Sequence, residues 1–360
     1  MAPSDGGLAA LRFPHAAPPA PGTLTTVAPG VHWLRMPLPF ALDHINLWLL
    51  EDGAGWTIVD SGLDTPITRE LWERIFVEAL DGKPVTRLIV THFHPDHMGL
   101  AGWLTERWQI PLWVSETEWL WARMLTVDRD DAAFAEDQIS FYRRAGLDET
   151  TIETFAARGN QYAQRVGPVP RAFRRIEDDM TFEIGGRRWR VIVGRGHAPE
   201  HVCLHCAELD LFIAGDQVLP KISPNISVWP NEPDGNPLGR YLDSLETLRR
   251  EVPADVLVLP SHNLPFYGID TRIDQLALHH AERLAELVAA CRTPHTTMEI
   301  VPLLFRRKLD TQQLGFAIGE ALAHLHYLVE AGRLTRGERA DGVYLFSSPL
   351  VPSPTGRGLG

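Results

Sequence analysis

The chain has only three cysteines in 360 residues, Cys203, Cys206 and Cys291. A small, odd number does not make a disulfide framework, so a reducing compartment, the cytoplasm, is the expected location. No apolar run approaches the roughly 18–20 residues that a membrane span needs. The N-terminus lacks the basic segment and apolar core of a secretory signal. Positive charge is in deficit, with 34 Lys and Arg against 46 Asp and Glu and a net charge of −12. Such a chain is a poor general partner for nucleic acid or anionic lipid. Arg171, Arg174, Arg175, Arg187, Arg188, Arg190 and Arg195 are a local exception, read as the solvated face of a hairpin. There are no internal repeats.

Hydrophobic residues make up 44% and charged residues 22%, enough for one large domain and a small appendage. Residues 1–30, rich in Ala, Pro and Gly, are expected to form a flexible extension. From residue 31, VHWLRMPL, INLWLLED and GWTIVDSG read as strands, and PITRELWERIFVEAL as a helix opened by Pro66. VTRLIVTH is a strand, GLAGWLTERW a helix and PLWVS a strand, which gives a mixed α/β order. A helical insertion is expected at about 116–170, with Trp119, Trp121, Met124, Phe134, Phe141 and Tyr142 as packing residues or as a pocket wall or lid. Strands return in TFEIGG, RWRVIVGRG, HVCLHCAE and LDLFIAGD, followed by a helix at 238–252 and the strand VLVLPSHN. The catalytic domain then spans 31–269. Residues 270–348 read as three helices and a two-stranded wing, a winged-helix-like domain, and 349–360 as a tail.

The chemistry centres on Thr91-His92-Phe93-His94-Pro95-Asp96-His97. Three of these residues alternate and His97 follows directly, in a turn at the carboxyl end of a strand. Such a turn splays neighbouring side chains apart and suits two metals held close together. Imidazole and carboxylate ligands fit zinc, and also iron or manganese. With 15 histidines in the chain, a chance H-x-H-x-D-H has a probability on the order of 0.1–0.2%.

This segment resembles the metallo-β-lactamase fold superfamily, which includes glyoxalase II. The resemblance extends, in order, to Asp60 in TIVDSG, His197 in GRGHAPEH, Asp216 in FIAGDQ and His262 in LPSHNLP. It implies a four-layer αββα sandwich. It implies one metal held by His92, His94 and His197, a second by Asp96, His97 and His262, and Asp216 bridging them. Asp60 would orient a ligand histidine. Two divalent ions, zinc foremost, would generate a bridging hydroxide that attacks an electrophilic carbonyl, with Asp96 orienting it and shuttling a proton.

Other residues carry less. Cys203-Leu-His-Cys206 has redox or metal spacing but lies in a strand-like run. His201 reads as structural or as a support to a ligand, and His279, His280, His324 and His326 as helix-surface residues. Lys221, Asn225 and Trp229, in the loop after Asp216, are candidate substrate contacts.

The favoured function is a small-molecule hydrolase acting on a thioester or lactone. True β-lactamases of the superfamily generally lack the bridging aspartate. An RNA-cleaving nuclease and a mononuclear iron dioxygenase of the same fold are the alternatives. Against the nuclease, the helix TQQLGFAIGEALAHLHYLVEAG carries no Lys or Arg. The C-terminal domain is better read as a packing, lid or dimerisation module.

Overall fold

The protein is described by a computed structural model covering residues 10–128 and 132–349. The chain divides into two compact units. The first comprises residues 10–128, Asn160–Pro224 and Arg240–Ala277. It contains two sheets. One runs in sequence order through β1 (Leu24–Ala28), β2 (Val31–Pro37), β3 (His44–Asp52), β4 (Gly55–Val59), β5 (Val85–Ile89), β6 (Leu112–Val114) and β7 (Arg174–Arg175). Strands β1 to β4 pair antiparallel and β4 to β7 parallel. A parallel pair needs a crossover. α1 (Pro66–Glu78) supplies it between β4 and β5; α2 (Pro95–Met98) and α3 (Ala101–Trp108) supply it between β5 and β6. α4 (Glu116–Val127) follows β6.

The second sheet has the order β12-β11-β10-β9-β8, formed by β8 (Thr181–Ile184), β9 (Arg187–Gly194), β10 (His201–Cys206), β11 (Leu211–Gly215) and β12 (Leu257–Pro260). Its one parallel pair, β11 with β12, is separated in sequence by α7 (Pro237–Glu251).

Side-chain alternation explains why these strands read as continuous apolar runs. Val31, Trp33, Trp48, Leu50 and Ile89 point between the sheets, against Trp189, Val191, Val202, Leu204 and Ile213. Leu34, Met36, Ile45, Leu47 and Leu88 point the other way, against Trp72, Ile75 and Phe76 of α1 and Leu104 of α3. A sheet covered on both faces needs no polar face. On the far side of the second sheet, Ser244 Oγ of α7 accepts from Arg195 N at 2.8 Å, and Tyr241 donates to Gln217 O at 3.2 Å. The layers are helix, sheet, sheet, helix.

The second unit holds α5 (Ala132–Arg144), α6 (Glu149–Ala156), residues Asn225–Gly239, the later part of α8 (Ile269–Ala290), α9 (Thr297–Leu304), α10 (Thr311–Glu330) and the hairpin β13 (Thr335–Glu338) with β14 (Tyr344–Ser347). Capping boxes open α9 at Thr296/Glu299 and α10 at Asp310/Gln313. Among the described residues, no helix is long and apolar enough to cross a membrane.

Several expectations need correction. The stretch read as a flexible extension contains β1, and Arg12 bridges to Tyr267; residues 1–9 lie outside the described residues. The region at 116–170 is not one helical block. α4 belongs to the first unit and α5 and α6 to the second. Helix α6 ends at Ala156, with Gly159 at φ 62°, and the side chain of Asn160 ties the following turn to Leu125 O and Ala163 N. Of the tail at 349–360, only residue 349 lies within the described residues.

His280, His324 and His326 are buried rather than on a helix surface. His280 Nδ1 lies 3.1 Å from His324 Nε2. Burial pushes the first down to about 3 and the second to about 4. An unfolded chain binds protons near pH 6.5 that this pair refuses. The pair's contribution to stability is therefore full above that pH and falls as the pH drops below it. Half-buried Glu320, pushed up to about 7 by burial, holds a proton over part of this range and offsets part of the loss. Melting temperatures of metal-free protein between pH 7 and 5 should fall more steeply for wild type than for H280L/H324L. Parallel curves would contradict the assignment.

Candidate metal centre

Five segments deliver the candidate residues at carboxyl ends of strands. Asp60 follows β4, the His92–His97 turn follows β5, His197 follows β9, Asp216 follows β11 and His262 follows β12. Ligand atoms of His92, His94, His197 and Asp216 lie within 4.8 Å of one another, as do those of Asp96, His97 and His262.

In the first group, His92 Nε2 lies 2.9 Å from His94 Nδ1 and 3.2 Å from His197 Nε2. His197 Nε2 lies 3.5 Å from Asp216 Oδ2. In the second, Asp216 Oδ1 is 3.4 Å from His262 Nε2 and 3.6 Å from His97 Nε2. Asp96 Oδ2 is 3.5 Å from His262 Nε2 and 3.8 Å from His97 Nε2. Tetrahedral ligands about 2.0–2.1 Å from a zinc ion sit about 3.3–3.4 Å from one another. The two carboxylate oxygens of Asp216 thus face different groups.

Two further observations fit a divalent cation. Buried His97 Nε2 and Asp216 Oδ1 make no hydrogen bond, although such atoms are normally partnered. The charge balance agrees. Burial holds His92 and His94 well below the usual imidazole range, as neutral donors. Burial opposes charge on His97 and His262 too, but Asp60, Asp96 and Asp216 around His97, and Asp216 and Asp96 around His262, outweigh it and raise both. Burial opposes the charge of Asp216, and His262 and His97 overcome it. In this arrangement protons supply positive charge that a metal would replace.

The supports set which nitrogen faces inward. Asp60, 1% exposed with φ 65°, accepts from His97 Nδ1 at 2.8 Å, from Thr91 N at 2.7 Å and from Thr91 Oγ1 at 3.0 Å. Thr91 Oγ1 in turn accepts from His92 Nδ1 at 3.0 Å. Asp60 therefore orients a histidine in each group. His262 Nδ1 donates to His44 O at 2.8 Å, and His44 Nε2 accepts from Asn263 N at 2.8 Å. His201 is a support, its Nε2 accepting from Asp216 N at 3.0 Å. A Cβ at Gly215, where φ is +54°, would meet His201 Cε1 at 2.3 Å, so only glycine admits this contact.

Glu118, on α4, escaped the sequence reading. It is fully buried and accepts from Phe93 N at 2.8 Å and from Glu200 N at 2.6 Å. Burial raises its carboxyl to about 7 against the lowering effect of these bonds. Tyr162 donates to Phe93 O at 2.5 Å. In sequence, Glu118 looks like any acid in a helix's first turn.

Lys221 is exposed, Asn225 Oδ1 accepts from Ser227 Oγ at 2.8 Å, and Trp229 meets Phe316 edge-on at 5.8 Å. None of the three belongs to either ligand group. Cys203 and Cys206 are free thiols three residues apart on one strand, on opposite faces, with Cys206 in the inter-sheet core. They do not form a dithiol site.

The model of the metallo-beta-lactamase superfamily matches residues 41–262, and that of the metallo-beta-lactamase-like C-terminal domain matches residues 284–349. Among solved structures, the chain is similar to a beta-lactamase domain protein from Burkholderia ambifaria at 45% identity and TM-score 0.87, covering 94% of this chain and 98% of that one. It is similar to a metallo-beta-lactamase family protein from Thermus thermophilus at 31% identity and TM-score 0.75, covering 90% and 100%. An uncharacterized protein of Aquifex aeolicus is 24% identical over 186 residues, 52% of this chain and 72% of that one. The chain belongs to the metallo-beta-lactamase superfamily, whose members are typically hydrolytic metalloenzymes with His and Asp metal sites.

Proposed function

We propose that this protein is a two-metal hydrolase acting on an ester-like carbonyl, with thioesters and lactones the favoured substrates. The observation that carries this reading is the division of the Asp216 carboxylate, Oδ2 toward His197 and Oδ1 toward His97 and His262. His92, His94 and His197 would hold one ion, Asp96, His97 and His262 the other, and Asp216 both. Zinc suits this donor set first, and iron and manganese also suit it. The ions would supply a water acidified from about 16 to about 7 and Lewis-acid stabilisation of the developing oxyanion.

The chain's own residues do the rest. Asp216 fixes the spacing of the two groups. Asp60 keeps the Nε2 atoms of His97 and His92 directed inward. Asp96 keeps 19% of its side chain exposed, against 10% for Asp216, which makes it the carboxylate suited to orient the attacking water and pass its proton to the leaving group.

The neighbourhood of His94 supports an apolar acyl group. The Phe93 ring centroid lies 4.6 Å from His94, 5.3 Å from Trp121 and 5.9 Å from Tyr162. A nuclease reading finds no such support, since α10 has no Lys or Arg and buries ten of its residues.

The test is a panel of acyl thioesters, lactones, phosphodiesters and β-lactams, run with protein of known metal content. Turnover led by thioesters or lactones supports the reading. Turnover confined to phosphodiesters or β-lactams, or activity that consumes oxygen, overturns it.

A further inference from the structure

The two loops that carry the first ligand group come from different sheets. The His92–His94 turn leaves β5 of the first sheet and the His197 loop leaves β9 of the second. The three imidazoles must nevertheless converge to about 3 Å. Backbone hydrogen bonding within one sheet cannot set that distance; across the sheets, Val202 N of β10 donates to Thr91 O at 2.8 Å and anchors the start of the His92–His94 turn, but neither His94 nor the His197 loop.

The start of α4 joins the loops. Glu118 reaches both with one carboxylate, Oε2 to Phe93 N and Oε1 to Glu200 N, at 2.8 and 2.6 Å. Phe93 lies between His92 and His94, and Glu200 is three residues after His197. The junction is reciprocal. Ser115 Oγ donates to Glu200 O at 2.9 Å, and Thr117 N donates to Glu200 Oε2 at 3.2 Å. Tyr162 holds the other side of the Phe93 residue through its carbonyl. The second group has other supports: His97 is held by Asp60 and His262 by His44 O.

We propose that Glu118 is a positioning residue for the first ligand group alone: its carboxylate fixes the separation of the His92/His94 turn from the His197 loop, and so governs metal affinity at that group while leaving the second nearly untouched. This rests on the two-metal reading above.

Gln at this position has nearly the same shape, but one end becomes an NH2 facing a backbone N–H. One loop therefore loses its acceptor. Asp keeps both acceptor oxygens on a stem one methylene shorter, which cannot span both loops. Loss of a partner that holds a metal ligand in place typically lowers affinity roughly 10- to 100-fold.

The experiment titrates metal-free wild type, E118Q and E118D with zinc against a chromophoric chelator, and records the visible spectra of cobalt-loaded protein. The expected result is two tight ions in wild type. In both variants one ion should bind roughly 10- to 100-fold more weakly, with the other unchanged and cobalt absorption altered for one site only. Two ions bound as tightly by the variants as by wild type would overturn the proposal. Equal weakening of both sites would also overturn it, because that is the result of a general structural defect. If E118Q fails to fold, E118D decides; if neither folds, Glu118 is a core support and the proposal fails. Fewer than two ions in wild type would instead remove the two-metal reading itself.

Discussion

Asp216→Ala is expected to hold at most one tightly bound metal per chain and to lose nearly all hydrolytic activity. The substitution removes both oxygens at once, the one 3.5 Å from His197 Nε2 and the one 3.4 Å from His262 Nε2. Each group then keeps three ligands, but the carboxylate that faces both groups is gone. The repulsion between two divalent ions would lose its shared protein counter-charge. The loss should exceed the roughly 10- to 100-fold typical of an outer support, because a ligand itself has gone. Metal analysis alongside turnover checks this. Full metal content and rate would show that the bridge is elsewhere.

Asp60→Ala should be the most destabilising change near the site. The residue is buried and accepts from Thr91 N, Thr91 Oγ1 and His97 Nδ1. Alanine leaves those donors without an acceptor, at about 1–3 kcal/mol for each buried group stranded. It also puts an ordinary side chain where φ is 65°, a region that Asp and Asn tolerate better. A total loss of about 3 kcal/mol or more is expected by chemical denaturation. Asp60→Asn separates stability from ligand geometry. It keeps an acceptor for Thr91 N but turns an NH2 toward His97, which favours the ring tautomer with its proton on Nε2. It should therefore fold nearly as well as wild type and bind metal weakly at the second group. A stable Asp60→Ala protein with normal metal content would contradict this account.

The contrast between these residues and Glu118 shows what a sequence makes legible. Imidazoles and carboxylates crowded at one strand end suit a metal, so His92, His94, Asp96 and His97 stand out by type and spacing, whereas His197, Asp216 and His262 are marked by the resemblance to the metallo-β-lactamase superfamily. Asp60 is marked by the same resemblance. Glu118, Tyr162 and His44 act by holding backbone groups. Any backbone offers such groups, so no side-chain pattern announces the contact. The sandwich was legible because two-sided burial produces unbroken apolar strands. β1, LTTVA, was not, because an edge strand in a Pro- and Gly-rich context buries too little to leave an alternating pattern. His280 and His324 looked like surface residues because their burial depends on pairing between two distant helices. The split of the helical region at 116–170 between two units is likewise a matter of tertiary partners.

The most direct test of the central claim is the metal content of wild-type protein produced with zinc, iron and manganese all available, measured together with oxygen consumption during turnover. The account predicts two divalent ions per chain, zinc foremost, and hydrolysis without oxygen uptake. One iron per chain with oxygen consumed in turnover would contradict it.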